Sequence, residues 1–304
     1  MKVYNTKNTE QAKPSLVMLV YGEGGVGKTT FAATAPKPII GDCENGAKYF
    51  GLRGIEVDVA QIESWSDIKD FTQIIKDYDT IVIDPIGELM DKLKRYMILL
   101  GDAKLVQKDG SPTMAGWGWL KKTMRDYIKR LRDTGKNVLL VAHLSEEQDE
   151  QRIVKRPKIE TKLSDDLVAM VDVVAYMTVI QDGDESKRIL IVDPGSDKYT
   201  AKDRTGQLGK IIEPDFTKII NACNGTEKYS WSKEAAKEEK KVDAGGDNGV
   251  GEEEKNASTC SCGAKISERE STYSKKVFGK EMCLNCMREE QKKKPATKKT
   301  ATKK

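Results

Sequence analysis

Gly22-Glu23-Gly24-Gly25-Val26-Gly27-Lys28-Thr29 satisfies G-x-x-x-x-G-K-[ST] at every fixed position. No other stretch restricts the fold so strongly, because this motif works only between a buried strand and the first turn of a helix. Both neighbours are present. The apolar run Leu16-Val17-Met18-Leu19-Val20 precedes it and Thr30-Phe31-Ala32-Ala33 follows it. Glycines let the backbone curl so that successive N–H groups converge on one phosphate. The helix that begins there adds its positive end. Lys28 is placed to reach the β- and γ-phosphates, and the Thr29 hydroxyl to ligate Mg²⁺. Residues Gly22 to Thr30 are therefore expected to hold a nucleoside triphosphate.

Strand and helix patterns alternate after this point. Ile39-Ile40 reads as a short buried strand ending at Asp42, and Ile68, Phe71, Ile74 and Ile75 mark one face of a helix starting near Ser66. Thr80-Ile81-Val82-Ile83-Asp84 is a second buried strand. Pro85 opens a helix with the stripe Ile86, Leu89, Met90, Leu93, Met97 and Leu100. A loop from Gly101 to Gly116 leads to a helix carrying Trp117, Leu120, Met124, Ile128 and Leu131. Asn137–Ala142 is another strand, closed by His143. Val173–Ile180 and Arg188–Val192 flank Asp182-Gly183-Asp184 as a hairpin, and a last helix spans Asp215 to Cys223. The alternation predicts an α/β fold, a mostly parallel sheet with helices on both faces and a terminal β-hairpin at one edge. The ATPase core is expected over 14–225, after a loose polar segment at 1–13.

A P-loop needs a partner acid to hold Mg²⁺, and Asp84 at the end of its strand has that form, with helix capping as its simpler role. Asp42-Cys43-Glu44 ends the strand after the P-loop helix, on the sheet edge that carries the phosphates, so a carboxylate there is placed to accept a proton from water. Glu88, one turn past Asp84, is the reserve candidate for that base.

At these residues the chain resembles the RecA-like ATPases, which carry D-x-E at the end of the second strand. The resemblance implies that Glu44 activates water. It also implies that His143 is the polar γ-phosphate sensor and that Lys202-Asp203-Arg204-Thr205-Gly206 is a K-x-R-x-G finger. In hexameric relatives this Lys and Arg reach a neighbour's γ-phosphate. The match over about 14–223 is to the RecA-core-only ATPases of bacteriophages, involved in recombination and single-strand annealing. It implies ATP as nucleotide, single-stranded DNA as ligand, a homo-oligomer, and a single-stranded-DNA-binding protein as a further partner. A strand-end role for His143 and solvated charges at Lys202 and Arg204 stay open. So do two other functions: a P-loop switch that loads or regulates another replication protein, and a small-molecule kinase. A ParA-like partition ATPase is disfavoured by Glu23, and a Ras-like GTPase by the absence of N-K-x-D.

RecA-like proteins hold DNA with loops after the Walker B helix and after the fourth strand, here Gly101–Gly116 and Ser145–Lys162. The second contains Arg152, Lys155, Arg156 and Lys158, whose charges suit sequence-indifferent phosphate binding. Trp117 and Trp119 are candidate base-stacking residues, with core packing favoured for Trp117 by its helical spacing.

The C-terminal eighty residues have another character. Residues 226–257 lack periodic apolar positions and read as a flexible charged linker. Cys260-Ser261-Cys262 and Cys283-Leu284-Asn285-Cys286 stand 20 residues apart, two thiolate pairs of the kind that bind tetrahedral Zn²⁺. His143 is the only histidine, so four thiolates are the economical ligand set. The block is similar to small C-terminal zinc modules of phage recombination proteins, and is expected over 258–290. Residues 291–304 form a Lys/Thr/Ala tail. By count, 1–225 carry a net charge of about −1, 226–257 about −3 and 258–304 about +8, which suits a polyanion partner. No run approaches the ~18 apolar residues of a membrane span, and no signal-peptide pattern opens the chain. A cytoplasmic protein with reduced cysteines is expected, in the bacterial host cell if phage-encoded.

Overall fold

The computed structural model describes residues 15–149, 152–182 and 185–225, and in the C-terminal unit 258–260, 262, 265, 266, 274, 275, 280, 282, 283 and 286. The chain divides into two compact units, Met1–Asp243 and Ala244–Lys304. The expected loose N-terminus, the linker and the basic tail lie outside the described residues.

In the first unit the near-continuous apolar runs become the middle of a ten-stranded sheet. Its strands are β1 (Val17–Gly22), β2 (Pro38–Asp42), β3 (Asp58–Gln61), β4 (Thr80–Asp84), β5 (Asn137–Asp149), β6 (Arg152–Pro157), β7 (Val173–Asp182), β8 (Glu185–Ile191), β9 (Lys202–Asp203) and β10 (Ile211–Ile212). The order is β10-β8-β7-β1-β5-β4-β2-β3, with β6 on β5 and β9 on β7. From β7 to β3 all neighbours are parallel, whereas β8 and β10 add antiparallel edges. Every residue of β1 is buried, as a parallel strand covered on both faces requires.

Alternation along the strands feeds two cores. Val17, Leu19 and Tyr21 face one layer with α2 (Ile68–Ile74), α3 (Ile86–Leu100), α4 (Met114–Asp133) and α5 (Thr161–Met170). Met18 and Val20 face the other, with α1 (Lys28–Ala32) and α6 (Phe216–Cys223), where Phe31 meets Phe216 edge-on at 5.7 Å. Helix starts follow their caps. Asp215 accepts from Lys218 N at the head of α6, and Thr113 from Gly116 N at the head of α4.

Three expectations are corrected. The segment expected as a basic loop, Ser145–Lys162, is instead the end of β5, the antiparallel strand β6 and the first turn of α5. Acids stand on β5 and bases on β6, so ion pairs across the hairpin replace much of the apolar signal that marks an ordinary strand. α4 begins at Met114, inside the expected loop, and that loop carries its own bridge between Val106 and Pro112. The α3 stripe holds through Met97, but Leu100 is half-exposed because the helix outruns the layer that covers it.

Candidate active site

The P-loop joins β1 to α1 at the carboxyl edge of the parallel strands, and β7 and β8 form its outer wall. A Cβ on Gly22 would stand 2.4 Å from the Met177 carbonyl oxygen, so only glycine lets the two backbones approach. Gly27 has φ 109, and a Cβ there would also meet the Arg188 side chain at 3.0 Å. Arg188 Nε donates to the Val26 carbonyl at 3.0 Å. Sequence analysis missed this contact, since nothing in a β-hairpin sequence says that one of its arginines will reach the loop. Lys28 is buried and its ammonium donates to the carbonyls of Gly22 (2.9 Å) and Glu23 (2.6 Å). Burial lowers its pKa, with Asp84, Glu44 and Glu23 opposing that shift.

Asp84 ends β4 directly beside Asp42 of β2. Burial raises its pKa to about 6, against a hydrogen bond from Thr29 that favours the carboxylate. Its Oδ2 is buried with no hydrogen-bond partner. An orphaned carboxylate oxygen beside a P-loop threonine suits a hard divalent cation, so Thr29 and Asp84 fit a Mg²⁺ site. Asp42 has a different task. Its carboxylate accepts from Glu44 N (3.0 Å), Gly46 N (3.1 Å) and Ala47 N (3.0 Å), which turns the chain sharply and sets Glu44 at the sheet edge. There Glu44 Oε1 lies 2.9 Å from His143 Nε2, and with the proton on that nitrogen His143 donates to it. His143 pairs with Gly22 at the last parallel rung of β1 and β5, so the imidazole stands beside the P-loop. Lys28, Thr29, Asp84, Glu44 and His143 therefore share one edge.

Lys202 and Arg204 are elsewhere. β9 pairs with Val173 and Val174 at the opposite, amino end of β7. Lys202 Nζ donates to the carbonyls of Val168 (2.7 Å), Ala169 (3.1 Å) and Val171 (2.7 Å), capping the end of α5. Arg204 bonds the Asp172 carboxylate at 3.3 Å and the Ala169 carbonyl at 2.9 Å. Neither approaches its own chain's P-loop.

On the β5–β6 hairpin the basic residues meet acids. Arg152 pairs with Asp197 (2.7 Å), Arg156 with Glu147 (3.5 Å) and Lys155 with Glu146 (3.9 Å). Lys155 also lies over the ring of Tyr176 and donates to its hydroxyl at 3.2 Å. Lys158 is exposed, and its N–H bonds the His143 carbonyl at 2.8 Å. Trp117 and Trp119 are half-buried against the helical layer, with Lys94 over the Trp117 ring.

In the C-terminal unit, β11 (Ser258–Thr259) pairs with β12 (Lys265–Ile266). The sulfurs of Cys260, Cys262, Cys283 and Cys286 all lie within 4.8 Å of one another, and Cys262 Sγ stands 3.6 Å from Cys283 Sγ. Tetrahedral zinc with Zn–S bonds of about 2.3 Å separates its sulfurs by about 3.8 Å, so four thiolates at this spacing fit the ion.

A phosphate loop closed by a buried lysine, at the carboxyl edge of a parallel sheet beside an aspartate with an unpartnered oxygen, defines a P-loop ATPase domain. Residues 15–205 match the family described as an AAA domain, and the chain belongs to that family. No curated protein matches the sequence. Among solved structures the chain is similar to the flagellar accessory protein FlaH from Methanocaldococcus jannaschii, at 12% identity, 68% of this chain, 88% of that one and TM-score 0.37. It is also similar to a KaiC-like protein from Pyrococcus horikoshii OT3, at 13% identity, 59% and 78% coverage and TM-score 0.33. Among the described residues no helix is long and apolar enough to cross a membrane.

Proposed function

We propose that the protein is a Mg²⁺-dependent ATPase that works as a homo-oligomer on single-stranded DNA, in phage-type recombination, annealing or repair. The observation that carries the hydrolytic reading is the Glu44–His143 contact of 2.9 Å on the edge that also holds Lys28 and Asp84. Glu44 accepts the proton of the attacking water, and His143 holds its carboxylate until the γ-phosphate competes for the imidazole. Lys28 leaves the carbonyls of Gly22 and Glu23 for the phosphate oxygens, which relieves a buried ammonium of its poor solvation. Thr29 and Asp84 would hold Mg²⁺, which neutralises charge on the β- and γ-phosphates.

Because Lys202 and Arg204 lie at the amino edge, any contact they make with a γ-phosphate is with a neighbouring chain's, and requires release of the α5 carbonyls. The hairpin bearing Arg152, Lys155, Arg156 and Lys158 is the proposed DNA contact, with the single-stranded-DNA-binding protein as a partner on the same substrate. The ion pairs that already occupy three of those four residues favour a second reading, a nucleotide switch that regulates another replication protein with little DNA contact of its own. ATP turnover measured with and without single-stranded DNA separates the two. Several-fold, salt-sensitive stimulation supports the first, and unchanged turnover supports the second.

The four-cysteine unit is proposed to hold one structural Zn²⁺. Metal analysis of reduced protein is expected to give about one zinc per chain, lost in the Cys283→Ser/Cys286→Ser variant while turnover survives. Zinc-free wild-type protein rules the site out.

A further inference from the structure

The segment leaving β2 is tied down more firmly than a connection requires. After the three Asp42 bonds, Ala47 and Phe50 are buried in the layer that contains α1. The Phe50 carbonyl then accepts from Arg53 N (2.9 Å) and Ile55 N (3.0 Å), and Gly54, at φ 68, closes the turn. Three points of this segment approach the nucleotide site in order. Glu44 meets His143, and Gly46 passes so close that a Cβ there would stand 3.6 Å from Thr29 Oγ1. Arg53 Nη1 lies 3.4 Å from Thr30 Oγ1.

Arg53 is exposed, its guanidinium rests over the Phe50 ring at 5.8 Å, and among the described residues no acidic group pairs with it. A P-loop presents its groups to the triphosphate in sequence. The lysine and the metal-binding hydroxyl serve the β- and γ-phosphates, and the backbone around them cradles the α- and β-phosphates. Thr30, the residue after the metal-binding Thr29, stands at the α end of that order. A guanidinium held there by a rigid turn matches phosphate geometry with two parallel donors.

We propose that Arg53 binds the α-phosphate of the nucleotide held by its own chain, so that residues 43–54 span the triphosphate from Glu44 at the γ end to Arg53 at the α end. This rests on the ATP-binding reading above. The role is retention of nucleotide, distinct from a finger that acts on the γ-phosphate.

The test is calorimetric binding of ATP, ADP and the two diastereomers of ATP carrying sulfur on the α-phosphate, with Tm measured for every variant. It uses the full chain as wild type, Arg53→Met, Arg53→Gln and Arg53→Lys. Arg53→Met and Arg53→Gln are expected to weaken ATP and ADP equally, by about tenfold. They should also erase the wild type's preference between the α-thio diastereomers, at unchanged Tm, while Arg53→Lys recovers part of the affinity. Wild-type affinity in both neutral variants overturns the proposal. So does a loss confined to ATP, which puts the contact at the γ end, or a loss that follows a fallen Tm in every variant. A wild type that binds neither ATP nor ADP defeats the ATP-binding reading itself and is told apart from these outcomes by that fact.

Discussion

The two ends of the parallel sheet carry the same kinds of residue in opposite states. At the amino edge Asp172, Lys202 and Arg204 are satisfied. Asp172 accepts from Val17 N and Arg204, and Lys202 closes three carbonyls at the end of α5. Among the described residues at the carboxyl edge, buried Lys28 donates to carbonyls of its own loop, Asp84 keeps a buried oxygen without a hydrogen-bond partner, and exposed Arg53 pairs with no acid. Satisfied charges fix a structure, whereas buried charges left unsatisfied cost stability unless a ligand completes them. The difference separates two lysines that look equally promising when read as sequence, Lys28 and Lys202.

Breaking the carboxyl edge should have the largest effect. Lys28→Ala is expected to abolish turnover, by ~10³-fold or more, and to weaken ATP binding strongly. Glu44→Gln should bind ATP yet turn over ~10²–10³-fold more slowly. Single-turnover hydrolysis and nucleotide binding read both. Normal turnover in Glu44→Gln transfers the base role to another acid, with Glu88 first in line.

Next comes the amino edge acting on a neighbour. Arg204→Ala is expected to bind ATP as the wild type does and to lose turnover by up to ~10³-fold. Mixing it with Lys28→Ala protein should restore activity, because each chain supplies what the other lacks. Unchanged turnover with only a lower Tm makes this edge purely structural and sharpens the contrast between the two ends.

A third prediction uses pH. Asp84 has its pKa raised from 3.8 to about 6 by burial, so between those values the folded chain binds more protons than the unfolded one. Stability of the nucleotide-free protein should therefore fall as pH rises from about 4 to about 6, by up to ~3 kcal/mol from this group. Mg²⁺-dependent ATP affinity should move the other way, declining as pH drops below about 6, because the metal needs the carboxylate. Denaturant titrations across that range, with Asp84→Asn as the variant that flattens both slopes, check the sign.

The smallest effect is expected at Lys202. Lys202→Met should cost about 1–2 kcal/mol, measured by urea unfolding, because three α5 carbonyls lose their donor. Its ATP affinity should not change. A loss of ATP affinity in the absence of oligomer would contradict the separation of the two edges.

Much of the carboxyl edge was legible beforehand because its chemistry is local in sequence. Gly22 to Thr30 are one continuous stretch from the end of β1 into α1, and Asp84 and Glu44 follow from strand ends that a parallel sheet must bring together. Buried strands were legible for a related reason: a strand covered on both faces has to be apolar throughout, as Val17–Val20 and Ile81–Ile83 are. The β5–β6 hairpin was not legible, since charged residues carry much of its pairing, Glu146 opposite Lys155 and Glu147 diagonally to Arg156.

Sequence alone thus determined that this chain builds a P-loop on a parallel sheet, because a glycine-rich turn between an apolar strand and a helix has few other uses. Only the tertiary structure decided where the remaining cations stand. Lys202 lies on a short strand that pairs at the amino end of β7, with Arg204 directly after it, and Arg53 lies on a turn whose Phe50 is buried in the layer that contains α1 and whose guanidinium reaches Thr30. Those placements depend on pairing and hydrogen bonding between segments far apart in the chain. Residue spacing records contacts within a turn or a strand, and carries no trace of which distant backbone will hold a side chain.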